Sequence, residues 1–289
     1  MKVSGFTFVR NALKFDYPVA EAIRSVLPLC DEFIVAVGNS DDGTRSLIES
    51  IDPRKIRIID SIWDDKLRQG GSVLAVETNK ALDAVSAGSD WAFYVQADEV
   101  VHEKYLEVIR NGMERWKDHD RVTGLLFNYL HFFGSYDYVA SSREWYRKEV
   151  RIIKNNRAIR SYKDAQGFRK DGVKLNVKPL EAWVYHYGWV KPPASQQAKQ
   201  ESFNKHWHDD EWMKQNVLPA NEFDYNIVGG LKKFTGSHPQ VMNARILLKN
   251  WDFTPDPGKN KLPGTRKLLQ GIENSIGWRI GEYKNYRIV

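Results

Sequence analysis

Residues 91 to 99 read Trp-Ala-Phe-Tyr-Val-Gln-Ala-Asp-Glu, an apolar run that stops at two adjacent carboxylates, Asp98 and Glu99. A buried strand of an open α/β sheet delivers whatever follows its last apolar residue to the carboxyl edge, where such sheets bind ligands. Two acids side by side at that edge form an oxygen-rich pair suited to Mg2+ or Mn2+, hard cations that prefer carboxylate, phosphate and water oxygens. The same pair also suits the start of a helix near His102, because carboxylates are stabilised at helix N-termini.

The elements upstream of this pair alternate regularly. Val3 to Val9 is an apolar strand, followed by Arg10-Asn11 and a helix from about Pro18 to Leu27, with Val19, Ile23 and Val26 on one face and Pro28 ending it. Phe33 to Val37 is a second strand that runs into the turn-rich Gly38-Asn39-Ser40-Asp41-Asp42-Gly43-Thr44, and a short helix reaches Ile51. Ile56 to Ile59 forms a third strand ending at Asp60. A loop with Trp63-Asp64-Asp65 and Gly70-Gly71 leads to a helix over Ser72 to Val85, and Trp91 to Val95 is the fourth strand. A βαβαβαβ succession implies a largely parallel sheet with right-handed crossovers.

Beyond Asp98 the pattern changes. A helix over Lys104 to Trp116, a strand over Val122 to Tyr129 and an aromatic loop over Phe132 to Tyr138 are expected, then strands at Glu149 to Ile153 and Trp183 to Tyr187 as antiparallel additions. Pro192-Pro193 marks a boundary. The expected division is residues 1–190 as an α/β domain and 191–289 as a mixed, largely helical extension, with helices over Ser195 to Trp207 and Val241 to Asn250.

Composition narrows the function classes. A hydrophobic content of 42% with 10 Trp in 289 residues specifies a globular chain with ample core. No apolar run approaches the roughly 20 residues that cross a bilayer, and Met1-Lys2-Val3-Ser4 enters a strand with no signal-peptide pattern, so a cytoplasmic protein is expected. One cysteine, Cys30, excludes an internal disulfide and a cysteine-rich metal cluster. The net charge of +6 comes from basic residues interleaved with 37 acidic ones, and no basic arm, zinc-finger spacing or RNP-type aromatic motif is present. A small anionic ligand is therefore expected rather than nucleic acid. In Lys205-His206-Trp207-His208, the two imidazoles lie two residues apart, against the i, i+4 spacing of a helical zinc pair.

Taken in order, the Ser40-Asp41-Asp42-Gly43-Thr44 loop, the third strand ending at Asp60, the helix carrying Asn79 and the strand ending Gln96-Ala97-Asp98-Glu99 resemble the family 2 glycosyltransferases of the GT-A fold, over roughly residues 3 to 190. The family commonly shows Ser-Thr-Asp-Gly-Thr in the first of these places and Asp-Ala-Asp-Glu in the last. The resemblance implies a nucleoside-diphosphate-sugar donor, a glycan or other hydroxyl acceptor, inversion at the anomeric carbon and a divalent cation. It also implies that Arg10, Asn39, Asp41, Asp60, Asn79 and Gln96 lie on the nucleotide side, and that Asp98, Glu99 and His186 form the metal shell. The base would be Asp164, in a loop between the Arg151 and His186 strands, with Glu144 second and Asp137 third. Arg147, Lys148 and Arg151 would lend positive charge to the diphosphate. Two positions depart from the pattern: Gln96 replaces the first Asp of the Asp-x-Asp pair, and Val37-Gly38 stands where an Asp ends the second strand. Nucleotide contacts then fall to Asn39, Asp60 or Asp64-Asp65. A degenerate binding protein of the same fold and a sugar-phosphate nucleotidyltransferase are the alternatives; the second needs a glycine-rich loop after the first strand, and Val9 to Lys14 has no glycine.

Overall fold

Val3–Val9 (β1), Val19–Val26 (α1), Glu32–Gly38 (β2), Thr44–Glu49 (α2), Ile56–Ser61 (β3), Ser72–Asp83 (α3) and Trp91–Tyr94 (β4) follow one another as the sequence pattern requires. The computed structural model describes the chain except for residues 65, 68, 206–209, 217–219, 262–263, 265–268, 270, 274–278 and 280. β3, β2, β1 and β4 lie side by side and parallel, with Val9 opposite Val37, Val37 opposite Asp60, and Phe6 opposite Tyr94.

After Glu32, β2 is a continuous apolar run, as is β4, because both their faces are covered, whereas the edge strand β3 mixes isoleucines with the exposed Arg57 and Asp60. In β2, Phe33, Val35 and Val37 pack with Val19, Ile23 and Val26 of α1, while Ile34 and Ala36 point the other way, towards Ala81 and Leu82 of α3. Burying each large side chain here stabilises the fold by about 1.5–3 kcal/mol.

The second half departs from expectation. Glu99–Val101 is a strand (β5), not a helix start; the helix begins at Leu106 (α4, Leu106–Trp116) after a 3-10 turn whose cap is the His102 ring. The expected strand at 122–129 extends through the aromatic segment as Gly124–Phe133 (β6), which turns at Gly134 into Ser135–Ala140 (β7). Lys148–Lys154 (β8) joins β6 and β4 antiparallel. Ile159–Tyr162 (β9), Gly167–Lys170 (β10) and Val173–Lys174 (β11) form a small separate sheet that the sequence reading leaves as loop. Asn176–Trp189 (β12) is nearly three times the expected length, parallel to β6 and antiparallel to β5.

Pro193–Asn204 (α5), Asp210–Asn216 (α6), Leu231–Lys233 (β13), Asn243–Leu247 (α7) and Arg287–Ile288 (β14) follow. β13 adds to the sheet beside β7, and β14 pairs with β12. The helix expected at 241–250 is thus only a 3-10 turn and the short α7. Among the described residues, no helix is long and apolar enough to cross a membrane.

Candidate functional site

Because β3, β2, β1 and β4 are parallel, the residues after their last apolar positions share one edge: Asp60, Asn39, Arg10 and the Gln96 to Asp98 segment. The Arg10 guanidinium lies over the Trp63 ring, 5.6 Å from its centroid. Gly38 makes that packing possible, since a Cβ there would come 2.5 Å from Trp63 Nε1. Asn39 is exposed and accepts from the Trp63 amide at 3.4 Å. Asp60 and Asp41 are held by exposed ion pairs, with Arg45 and Lys14, both at 2.7 Å. The loop after β1 offers no free cradle of amides: those of Asn11, Ala12 and Lys14 donate to Ser40 Oγ, Thr44 Oγ1 and Asp42 Oδ2.

Asp98 is the centre of the edge. Its carbonyl accepts from the Tyr187 amide at 2.8 Å, and its carboxylate faces His186 Nε2 at 3.7 Å and Lys199 Nζ at 3.5 Å. Gly188 leaves space for this meeting, because a Cβ there would lie 2.7 Å from both Asp98 Oδ2 and His186 Nε2. Burial works against the Asp98 charge, yet His186, Lys199 and Lys191 hold its pKa below the usual carboxylate range. A relay fixes the imidazole tautomers. The Tyr146 carbonyl can only accept, so His131 Nε2 donates to it at 2.7 Å; burial and His186 push the His131 pKa down to about 3, which leaves Nδ1 a bare acceptor. His186 Nδ1 must then donate to it at 3.1 Å, and Nε2 is the nitrogen that faces Asp98.

Glu99, expected as a metal ligand, is committed to the core instead. Arg151 holds it through two bonds of 2.7 Å, Tyr129 Oη donates at 2.8 Å and the Gln96 amide at 3.1 Å, with Arg151 and Glu99 only 1% and 0% exposed. The expected set of Asp98, Glu99 and His186 is therefore not assembled, and the described residues contain no group of three His, Cys, Asp or Glu side chains able to hold a metal ion. The residues present do not fit a carboxylate-built Mg2+ or Mn2+ centre. Arg147 is likewise spent, on Glu282 at 2.7 and 2.8 Å. Asn79, expected near the nucleotide, instead bonds both backbone groups of Ser161 and so ties β9 to α3.

That tie positions the turn carrying Asp164. Lys163 and Ala165 both have positive φ, 53° and 61°, a costly conformation for non-glycine residues. The turn is held against the edge by buried Ala165, which packs with Trp63, Val73 and Leu74. Arg151 donates to the Gln166 carbonyl at 2.9 Å, and Gln96 Nε2 to that of Ala165 at 3.4 Å. Asp164 is half-buried, and burial raises its pKa against the pull of backbone amides, Lys163 and Arg151. Glu144 is exposed, two residues before Tyr146, and Asp137 is exposed on β7. The segment with His206 and His208 lies outside the described residues.

Glu149, Lys191 and Lys199 have no sequence motif to announce them. Glu149 on β8 is 3% exposed, and burial pushes its carboxyl up to about 8 despite Arg151. The folded state then holds this proton more tightly than the unfolded chain, whose value is near 4.5. Its stabilising contribution is complete below about pH 4.5 and is lost as pH rises to about 8. Glu149→Gln removes this titration, so thermal melts should show it more stable than wild type at alkaline pH, by on the order of 2 kcal/mol. The gain should vanish at acidic pH; a pH-independent difference would remove the assignment.

No protein-family model and no curated protein matches the chain. Among solved structures, S. aureus TarS overlaps with a TM-score of 0.38 and 14% identity, over 75% of this chain and 69% of that one. The glucosyl-3-phosphoglycerate synthase of Mycobacterium tuberculosis, solved with Mn2+, uridine diphosphate and phosphoglyceric acid, overlaps at 0.30 with 16% identity, over 45% of this chain and 43% of that one. The 4-diphosphocytidyl-2C-methyl-D-erythritol synthase of Anaerococcus prevotii overlaps at 0.39 with 13% identity, over 66% and 89%. This chain thus spans less than half of the mycobacterial synthase. Overlaps this partial leave the chemistry to be read from the side chains.

Proposed function

We propose that this chain is a glycosyltransferase that moves a sugar from a nucleoside-diphosphate donor to an acceptor hydroxyl, on a glycan or another molecule, with inversion. The observation that supports this most is the strained turn at 163–166, pinned across Gln96 two residues from Asp98. Backbone strain held in place by surrounding contacts marks sites where a side chain must be aimed. On this reading Arg10, Trp63 and Asn39 receive the nucleotide, and Asp41 and Asp60 flank it. The Asp164 carboxylate takes the acceptor proton while the acceptor oxygen forms its bond to the anomeric carbon from the face opposite the diphosphate. The bond from that carbon to the phosphate oxygen breaks, and its electron pair leaves with the diphosphate. Positive charge beside Asp98 stabilises that leaving group.

Incubating the protein with a panel of UDP-, GDP-, CDP- and ADP-sugars and following nucleotide release and anomeric configuration by NMR tests the reading. One donor should be consumed to give product of inverted configuration, and Asp164→Asn should strongly slow that consumption. Nucleotide binding without turnover would favour the second reading, a GT-A-like binding protein, for which the neutral Gln96 and the Lys199 ammonium against Asp98 speak. The nucleotidyltransferase alternative is weakened by the bonded amides after β1.

A further inference from the structure

Resting on the transferase reading, we propose that Lys199, backed by Lys191, supplies the positive charge facing the departing diphosphate, in place of a divalent cation. The donor set is the first ground. Glu99 has both oxygens engaged by Arg151, Tyr129 and the Gln96 amide, and Gln96 itself carries no charge. Asp98 is the one acid of the Gln96 to Glu99 segment left facing the edge, and an ammonium already stands against it.

The position of that ammonium is the second ground. Lys199 Nζ lies 3.5 Å from Asp98 Oδ2 and donates to the Gly188 carbonyl at 2.8 Å. An ammonium has three N–H donors, so these two acceptors leave one for an incoming phosphate oxygen. The side chain is 11% exposed, enough to be reached while its direction stays fixed by α5. Lys191 is different: fully buried, it donates to the Phe15 carbonyl at 2.7 Å and lies behind the site. Both ammoniums lie over the Tyr17 ring, at 4.4 and 4.9 Å from its centroid.

Charge balance is the third ground. Lys199 and Lys191 both act on Asp98, so a diphosphate entering here meets lysine side chains, whereas a dication would meet the Lys199 ammonium already in place. An entering diphosphate favours the charged form of both lysines, which burial otherwise disfavours.

Calorimetric titration of the full chain with UDP, GDP, CDP and ADP, in EDTA and in Mn2+, tests this. At least one nucleotide should bind in EDTA with an affinity within about twofold of that in Mn2+. Lys199→Met, which keeps the length of the side chain, should lose about tenfold to a hundredfold of that affinity, and Lys199→Arg should retain most of it. Thermal melts of the variants separate this loss from unfolding, and Lys199→Gln, which also removes the charge and should show the same loss, supplies the test if Lys199→Met fails to fold. Binding that requires Mn2+ and survives Lys199→Met would overturn the assignment and leave the transferase reading standing. No binding of any of the four under either condition would overturn both.

Discussion

Asp164→Asn should lower kcat by about 10²–10⁴-fold, the usual contribution of a positioned general base, with donor affinity nearly unchanged. The reasoning starts from geometry. The turn holds Asp164 at the edge mainly through contacts outside its carboxylate: Ala165 in its apolar niche, the Ala165 carbonyl on Gln96 and the Gln166 carbonyl on Arg151. The bond that its Oδ1 accepts from the Gln166 amide, at 3.4 Å, can also be accepted by an asparagine oxygen. An amide at 164 keeps those contacts and loses only the proton acceptor. Burial raises the Asp164 pKa, so the carboxylate form is lost at a higher pH than for an ordinary aspartate. Turnover should accordingly fall on the acid side through a pKa above the usual aspartate range, and that limb should be missing from the residual activity of Asp164→Asn. Steady-state kinetics over a pH series measures both. An unchanged kcat in Asp164→Asn, with the loss appearing in Glu144→Gln, would transfer the role to Glu144.

The second large effect is on stability. Arg151→Met should destabilise the protein by about 3–5 kcal/mol, because removing one partner of a buried pair leaves the other charge uncompensated. Glu99 would remain fully buried with the Tyr129 hydroxyl and the Gln96 amide as its donors. The Gln166 carbonyl would lose its donor as well, and the cation-π packing of Arg151 with Tyr94 and Tyr129, 5.3 Å to each centroid, would go. Adding Glu99→Gln to Arg151→Met should recover much of the loss, since the double variant buries no charge. Denaturant titrations of the three variants close the cycle. A single-variant loss below about 1 kcal/mol, the range of exposed pairs, would show that Glu99 reaches solvent or a ligand instead of the core.

Local sequence carried the first hundred residues well. Phe33 to Val37 and Trp91 to Val95 are apolar without interruption because both faces are covered, and parallel pairing then fixes Arg10, Asn39, Asp60 and Asp98 at one edge without further information. The second half was less legible for definite reasons. β12 carries Lys178, Glu181 and His186 among its apolar positions, which hides a strand of 14 residues. The short strands of the small sheet carry basic residues and turn signals that read as loop.

Chain-local signals bring Asp98 to the strand edge and Asp164 to a turn beside it, because each follows or precedes a strand that ends nearby. They misplaced Glu99, whose alternation along β5 turns it from Asp98 towards Arg151, 52 residues away. They give no sign that Lys199, 101 residues away, stands against Asp98. Sequence by itself determined which residues must be buried and which strand ends must meet, since those follow from the period of hydrophobicity over a few residues. Only the tertiary structure decided which acid keeps a free face and which cation stands against it, because partners so distant in the chain are chosen by the packing of whole elements.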